Sequence, residues 1–205
     1  MSWFNSSKKN ESAMSKLSKK VFEMSRSCTE TLAPDLEKKL GKESTLFTSK
    51  YIQVLFGFMY FFIHLTDRYA FDQLGQEGRN QLIDELIPTT ADAMIESLFG
   101  RSPENTKDWI EKEFYSKLND AQMEYGGCKE LFLKQEDDTR TLEKLMSGAK
   151  SKSMIGQLTD NLSQIIEGTI NTNALFTMSI WGLVTESLKK KELQALVSKA
   201  SKEIR

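Results

Sequence analysis

From Ala13 to about Leu32 the apolar residues Met14, Leu17, Val21, Met24 and Cys28 recur every three or four positions. That period puts them on one stripe of an amphipathic helix. Pro34 is expected to end it, because proline has no N–H to donate and crowds the preceding turn. A short helix over 35–40 should follow and stop at Gly41. Residues 46–74 read as a long central helix closed by Gly75, and 77–87 as another. Pro88 then reads as a break, with Thr89 or Thr90 capping a helix that runs to Phe99.

Ser102-Pro103-Glu104 combines a hydroxyl cap, proline at the first position and an acid in the first turn, which marks a helix start. This helix is expected to carry Trp109, Ile110, Phe114 and Leu118 on its apolar face and to run towards Tyr125, where Gly126-Gly127 break it. One or two short helices are expected within 128–146, and 147–153 reads as an exposed turn. Between 154 and 188, Ile155, Leu158, Leu162, Ile165 and Ile166 keep a helical spacing. The chain then turns apolar on every side from Ala174 to Val184, the mark of a buried helix, with Gly168 and 171–173 as places to bend or break it. Residues 189–205 continue as a basic amphipathic helix, and 1–12, rich in Ser, Lys and Asn, read as a flexible tail.

Composition agrees with helices throughout. Only four Val stand beside twenty-three Leu, and three Pro interrupt 205 residues; few β-branched residues and few breakers favour helix over strand. No repeat of 20–50 residues is visible, which argues against a solenoid. The expected fold is all-α: a single-domain irregular bundle of six to eight helices over 13–205, around two buried helices. The most apolar window, 51–65, is interrupted by Gln53, Gly57 and His64 and is shorter than a spanning helix needs, so no transmembrane segment is expected. With no signal-peptide core at the N-terminus, a cytoplasmic site and reduced cysteines are expected.

Charge is uneven along the chain. The formal net charge is −1, yet residues 1–50 hold ten basic and six acidic groups, 66–145 ten and eighteen, and 146–205 eight and five. Basic ends packed beside an acidic middle are the plain reading. The sharper one is that the ends meet an acidic partner or the surface of a membrane. Nucleic acid is not expected as a partner, since net charge is near zero and no binding motif is present.

The chemical inventory excludes more than it suggests. Two cysteines, Cys28 and Cys128, lie a hundred residues apart, and there is one histidine, His64. No Cys-x-x-Cys pair or Cys/His cluster exists to hold zinc, and the paired Glu-x-x-His motifs of a di-iron bundle are missing, so no metal is expected. One axial His could still hold a haem, but no cofactor is expected. Gly-rich phosphate loops and nucleophile elbows are also missing.

One constellation remains. At 100° per residue, Lys50, Gln53, Gly57, Tyr60, Phe61, His64, Asp67 and Arg68 fall on one narrow arc of the central helix, with Ile52, Val54, Leu55, Phe56, Phe58, Met59, Phe62, Ile63 and Leu65 around the rest. Tyr60, His64, Asp67 and Arg68 are the candidate ligand-binding residues, able to line an apolar pocket as polar fixtures. Two structural readings compete: a stripe facing water, or a buried cluster tying this helix to a neighbour through Arg79, Asp84 or Glu85. No catalytic residues are expected. The function read from the sequence is a non-enzymatic intracellular protein acting by protein interaction, an adaptor or regulator, with self-association included. The alternative is a helical binding domain whose pocket takes a small apolar ligand.

Overall fold

In the computed structural model, which describes residues 11–100, 104–128, 130–131, 153–167, 174–188 and 191–204, Ser12 sets the first helix. Its hydroxyl accepts from the Ser15 N–H at 3.1 Å, closing one of the free amides that start α1 (Ala13–Leu40). Gly41, at φ 77°, ends α1 and turns the chain. Ser44 repeats the cap by accepting from Phe47 N–H, and α2 (Thr45–Phe99) begins. The remaining helices are α3 (Glu104–Gly126), α4 (Met154–Ile166), α5 (Ala174–Leu188) and α6 (Glu192–Ile204). Among the described residues there are six helices and no strand, so the fold is all-α.

Two expected breaks are not breaks. Pro34 lies inside α1 and Pro88 inside α2. Both prolines are exposed, so the carbonyls they deprive of a partner, those of Glu30 and Asp84, lie on the outer side of their helices where water can serve them. On the inner side Leu32 and Leu36 flank the first, and Leu86, Thr90 and Ala91 the second, all buried. Burial of roughly 1.5–3 kcal/mol per large apolar side chain offsets the helix penalty. The separate helix over 35–40 is therefore the last part of α1. Gly75 does break α2: at φ 69° and ψ −168° it is non-helical, and the helix kinks there.

The core forms where α1 and the limb of α2 before Gly75 pack together. Leu17, Val21 and Leu36 of α1 meet Val54, Leu55, Phe58, Met59 and Ile63 in one buried cluster. Small polar residues of α1 are buried too, with Ser25 and Thr29 returning their hydroxyls to the carbonyls of Val21 and Ser25, both at 2.8 Å. Every residue over 54–66 is buried, Gly57, Tyr60, Phe61 and His64 of the expected polar stripe included, while Lys50, Gln53, Asp67 and Arg68 are half-buried. By length and composition α2 could cross a membrane, with a mean hydropathy of 1.4 over eighteen residues. In the structure α1, α3, α4 and α6 pack around it.

The helix over 154–188 is two helices, α4 and α5, and the bend expected at Gly168 and 171–173 lies outside the described residues. α5 was expected to be buried on every side. It buries Phe176, Ile180 and Val184 on one face and exposes Ser179, Gly182 and Glu186, because it packs at the edge against α1 and α4. Trp109, expected on the apolar face of α3, is 57% exposed. The buried stripe is Ile110, Phe114, Leu118, Ala121 and Tyr125, to which Trp109 is a poor angular match. The two basic ends of the chain meet each other: Lys20 pairs with Glu192, and Glu203 accepts from the Ala13 N–H at 2.8 and 2.9 Å. Of the tail expected over 1–12, only Glu11 and the capping Ser12 are described; residues 1–10, most of the short-helix segment 128–146 and all of the 147–153 turn except Ser153 lie outside the described residues.

Candidate functional site

Three helices enclose a half-open groove of about 400 Å³ on one side of the central helix. α2 contributes Lys50, Gln53, Phe56, Gly57 and Tyr60; α3 contributes Lys117, Asp120, Ala121 and Glu124; α4 contributes Asn161, Gln164 and Ile165. α4 crosses α2 closely at Gly57, where a Cβ would stand 2.9 Å from Leu162 Cδ2 and a larger side chain would not fit. Lys50 crosses the gap and donates to the Ile165 carbonyl near the end of α4, where helical carbonyls lack partners. At the other end of the groove the Asn161 amide donates to Glu124 at 2.8 Å and joins α4 to α3.

The four candidate residues do not share one site. Tyr60 lines the groove, but its hydroxyl donates to the Phe114 carbonyl at 2.9 Å, and its ring lies 5.3 Å from the Phe114 ring. Burial pushes the Tyr60 phenol above its ordinary range, with Glu113 adding to the rise. His64, one turn on, is buried behind the groove with its ring 5.2 Å from that of Tyr125. Burial lowers its pKa to about 4, as the neutral ring is the cheaper one to desolvate; Asp67 opposes this, and Arg68 and Arg79 add to it. Among the described residues His64 Nε2 and the Tyr125 hydroxyl have no hydrogen-bond partner.

Asp67 and Arg68 are committed to the fold. Arg68 donates to the backbone carbonyls of Tyr125, at 3.1 Å, and Cys128, and so closes the C-terminus of α3. Asp67 pairs with Arg79 through both carboxylate oxygens. Of the three partners the sequence offered for this cluster, Arg79 is thus the one that binds. The stripe divides: Lys50, Gln53, Gly57 and Tyr60 face the groove, while His64, Asp67 and Arg68 serve packing and connection.

Sequence reasoning missed the other two walls. Lys117, Asp120, Ala121 and Glu124 share one face of α3, and Asn161, Gln164 and Ile165 one face of α4. Each is legible as a helical face, but nothing in the sequence says which helices stand opposite one another. Neither cysteine lines the groove, although the Cys128 thiol donates to the Glu124 carbonyl at 3.5 Å. Cys28 is buried against Ser187, and burial raises its pKa to about 11; burial raises that of Cys128 as well. Among the described residues no three His, Cys, Asp or Glu converge as metal ligands. No family model matches the chain, and neither a curated protein nor a solved structure matches it.

Proposed function

We propose that this is a helical interaction protein, an adaptor or regulator acting by binding rather than by catalysis, with the groove between α2, α3 and α4 as its recognition site. The observation that carries this reading is how the polar groups are employed. Tyr60, Asp67 and Arg68 spend their hydrogen bonds on the fold, while Gln53, Asp120 and Gln164 at the groove have no partner among the described residues. Free polar groups around an apolar floor are what a recognition surface needs. A cytoplasmic setting belongs to the same proposal, supported by two unpaired, buried cysteines.

The alternative, a small apolar ligand in the groove, is favoured by one observation, a volume within the usual range for small-molecule sites. Site-specific photocrosslinking in cells tests the main reading. A photoreactive residue at Gln164 should give a discrete adduct of protein mass, and the same residue at Glu37, exposed on α1, should not. Equal labelling at both positions refutes it, and an adduct of small-molecule mass at Gln164 selects the alternative.

A further inference from the structure

We infer, resting on the binding reading above, that the groove receives a short peptide segment of a partner protein that presents one large apolar side chain between an acidic and a basic residue. The floor supplied by Phe56, Ala121 and Ile165 takes the anchor and removes it from water. The two ends of the groove differ in charge. Lys50 closes one end with its amine on the Ile165 carbonyl, which uses one of three ammonium donors. One turn back along α4, Asn161 holds Glu124, and Asp120 stands on the same face of α3, exposed and without a partner among the described residues; Lys117, on that face too, has its charge answered by Glu113 at 2.7 Å.

With Lys117 paired to Glu113, the uncompensated charges are the Lys50 ammonium at one end and the Asp120 carboxylate at the other, and they fix the polarity of the segment, its acid towards Lys50 and its base towards Asp120. The carboxamides of Gln53, from α2, and Gln164, from α4, line the same groove without partners among the described residues. Each offers a donor and an acceptor, the complement of a peptide N–H and C=O. A neutral apolar molecule would desolvate these groups and leave them unmatched, which is the argument for a peptide.

The test is fluorescence anisotropy on the purified full chain with labelled pentapeptides. Leu, Met, Phe or Trp occupies the centre, and Glu and Lys the flanks, in both chain orders, beside peptides with Glu on both flanks and controls flanked by Gln. Saturable binding is expected for charged peptides, weaker by about tenfold for the Gln controls. Asp120→Lys should weaken Glu/Lys-flanked peptides by about tenfold and improve those with Glu on both flanks, with an unchanged melt because Asp120 is exposed. Binding that ignores Asp120→Lys overturns the inference. So does failure of every peptide while the neutral dye Nile red binds saturably and is lost on Ile165→Glu; the groove then remains a binding site, for small apolar molecules. If neither peptide nor dye binds, the binding reading falls as well.

Discussion

Asp67 and Arg79 grip each other across the kink in α2: the guanidinium donates through Nε and Nη2 to the two carboxylate oxygens, the second bond at 2.8 Å, with Gly75 between them in the chain. A planar fork on a carboxylate is the geometry that resists rotation, so the pair fixes the angle at which the two limbs of α2 leave the kink. Both side chains are mostly shielded, Arg79 at 30% exposure and Asp67 at 18%.

That pairing predicts a measurable coupling. Arg79→Ala and Asp67→Ala should each lower stability by about 1–2 kcal/mol, and the double variant by little more than either single one. Urea melts of the four proteins in a double-mutant cycle give the interaction term directly. A term near zero would mean that the kink angle is held by packing alone.

Arg68 should matter more than its position near the end of the apolar window suggests. Arg68→Ala removes the donor from two carbonyls at the end of α3, and a cost of about 1–3 kcal/mol is expected. Arg68→Lys, whose ammonium sits on a shorter and more flexible stem, should recover only part of it. Hydrogen exchange checks the location: protection should fall first in the last turn of α3, around Tyr125.

His64 makes stability depend on pH. Its folded pKa of about 4 lies below the ordinary 6.5, so the unfolded chain takes up a proton that the folded chain refuses. Above pH 6.5 both states are neutral and the group contributes no slope. As pH falls from 6.5 towards 4 stability should decline, by up to about 3 kcal/mol, and level off below the folded pKa. His64→Phe keeps a ring against Tyr125, removes the unpartnered Nε2 and should flatten that slope, leaving the variant more stable than the parent at pH 5. Denaturant midpoints at pH 5 and 7 decide it; equal slopes for the two proteins would rule out His64 as the source.

Gly57 tests the closure of the groove. In Gly57→Ala the new Cβ crowds the far end of Leu162, a side chain able to turn, and touches Ile165 at an ordinary 3.8 Å, and the gain in helix propensity of up to about 1 kcal/mol opposes the crowding. A near-neutral melt is expected. Gly57→Leu has no such escape and should cost about 1–3 kcal/mol while driving α4 away from α2. Loss of groove binding in the Leu variant but not in the Ala variant would locate the site by an independent route.

Much of this protein is written in the order of its residues. The helical period on α1, the Gly75 kink, the end of α3 at Gly126 and the presence of a polar arc on the central helix are local properties, set by side-chain spacing and by backbone freedom that neighbours in sequence determine. Even the Asp67–Arg79 pair was one of a few partners available within reach along the chain. What local reasoning could not decide was where each surface would end. Pro34 and Pro88 read as breaks until their outer placement and the buried leucines beside them are known, because the penalty for proline is local while the burial that outweighs it comes from distant helices. The polar arc read as one site, and only the packing of α3 and α4 onto α2 divides it. Tyr125 covers His64, the end of α3 claims Arg68, and the groove receives Lys50, Gln53 and Tyr60 from one helix and its other walls from residues up to 115 positions away. A site made of three helix faces is decided by which faces meet, and that is settled by the shape of the whole core rather than by any one stretch of sequence.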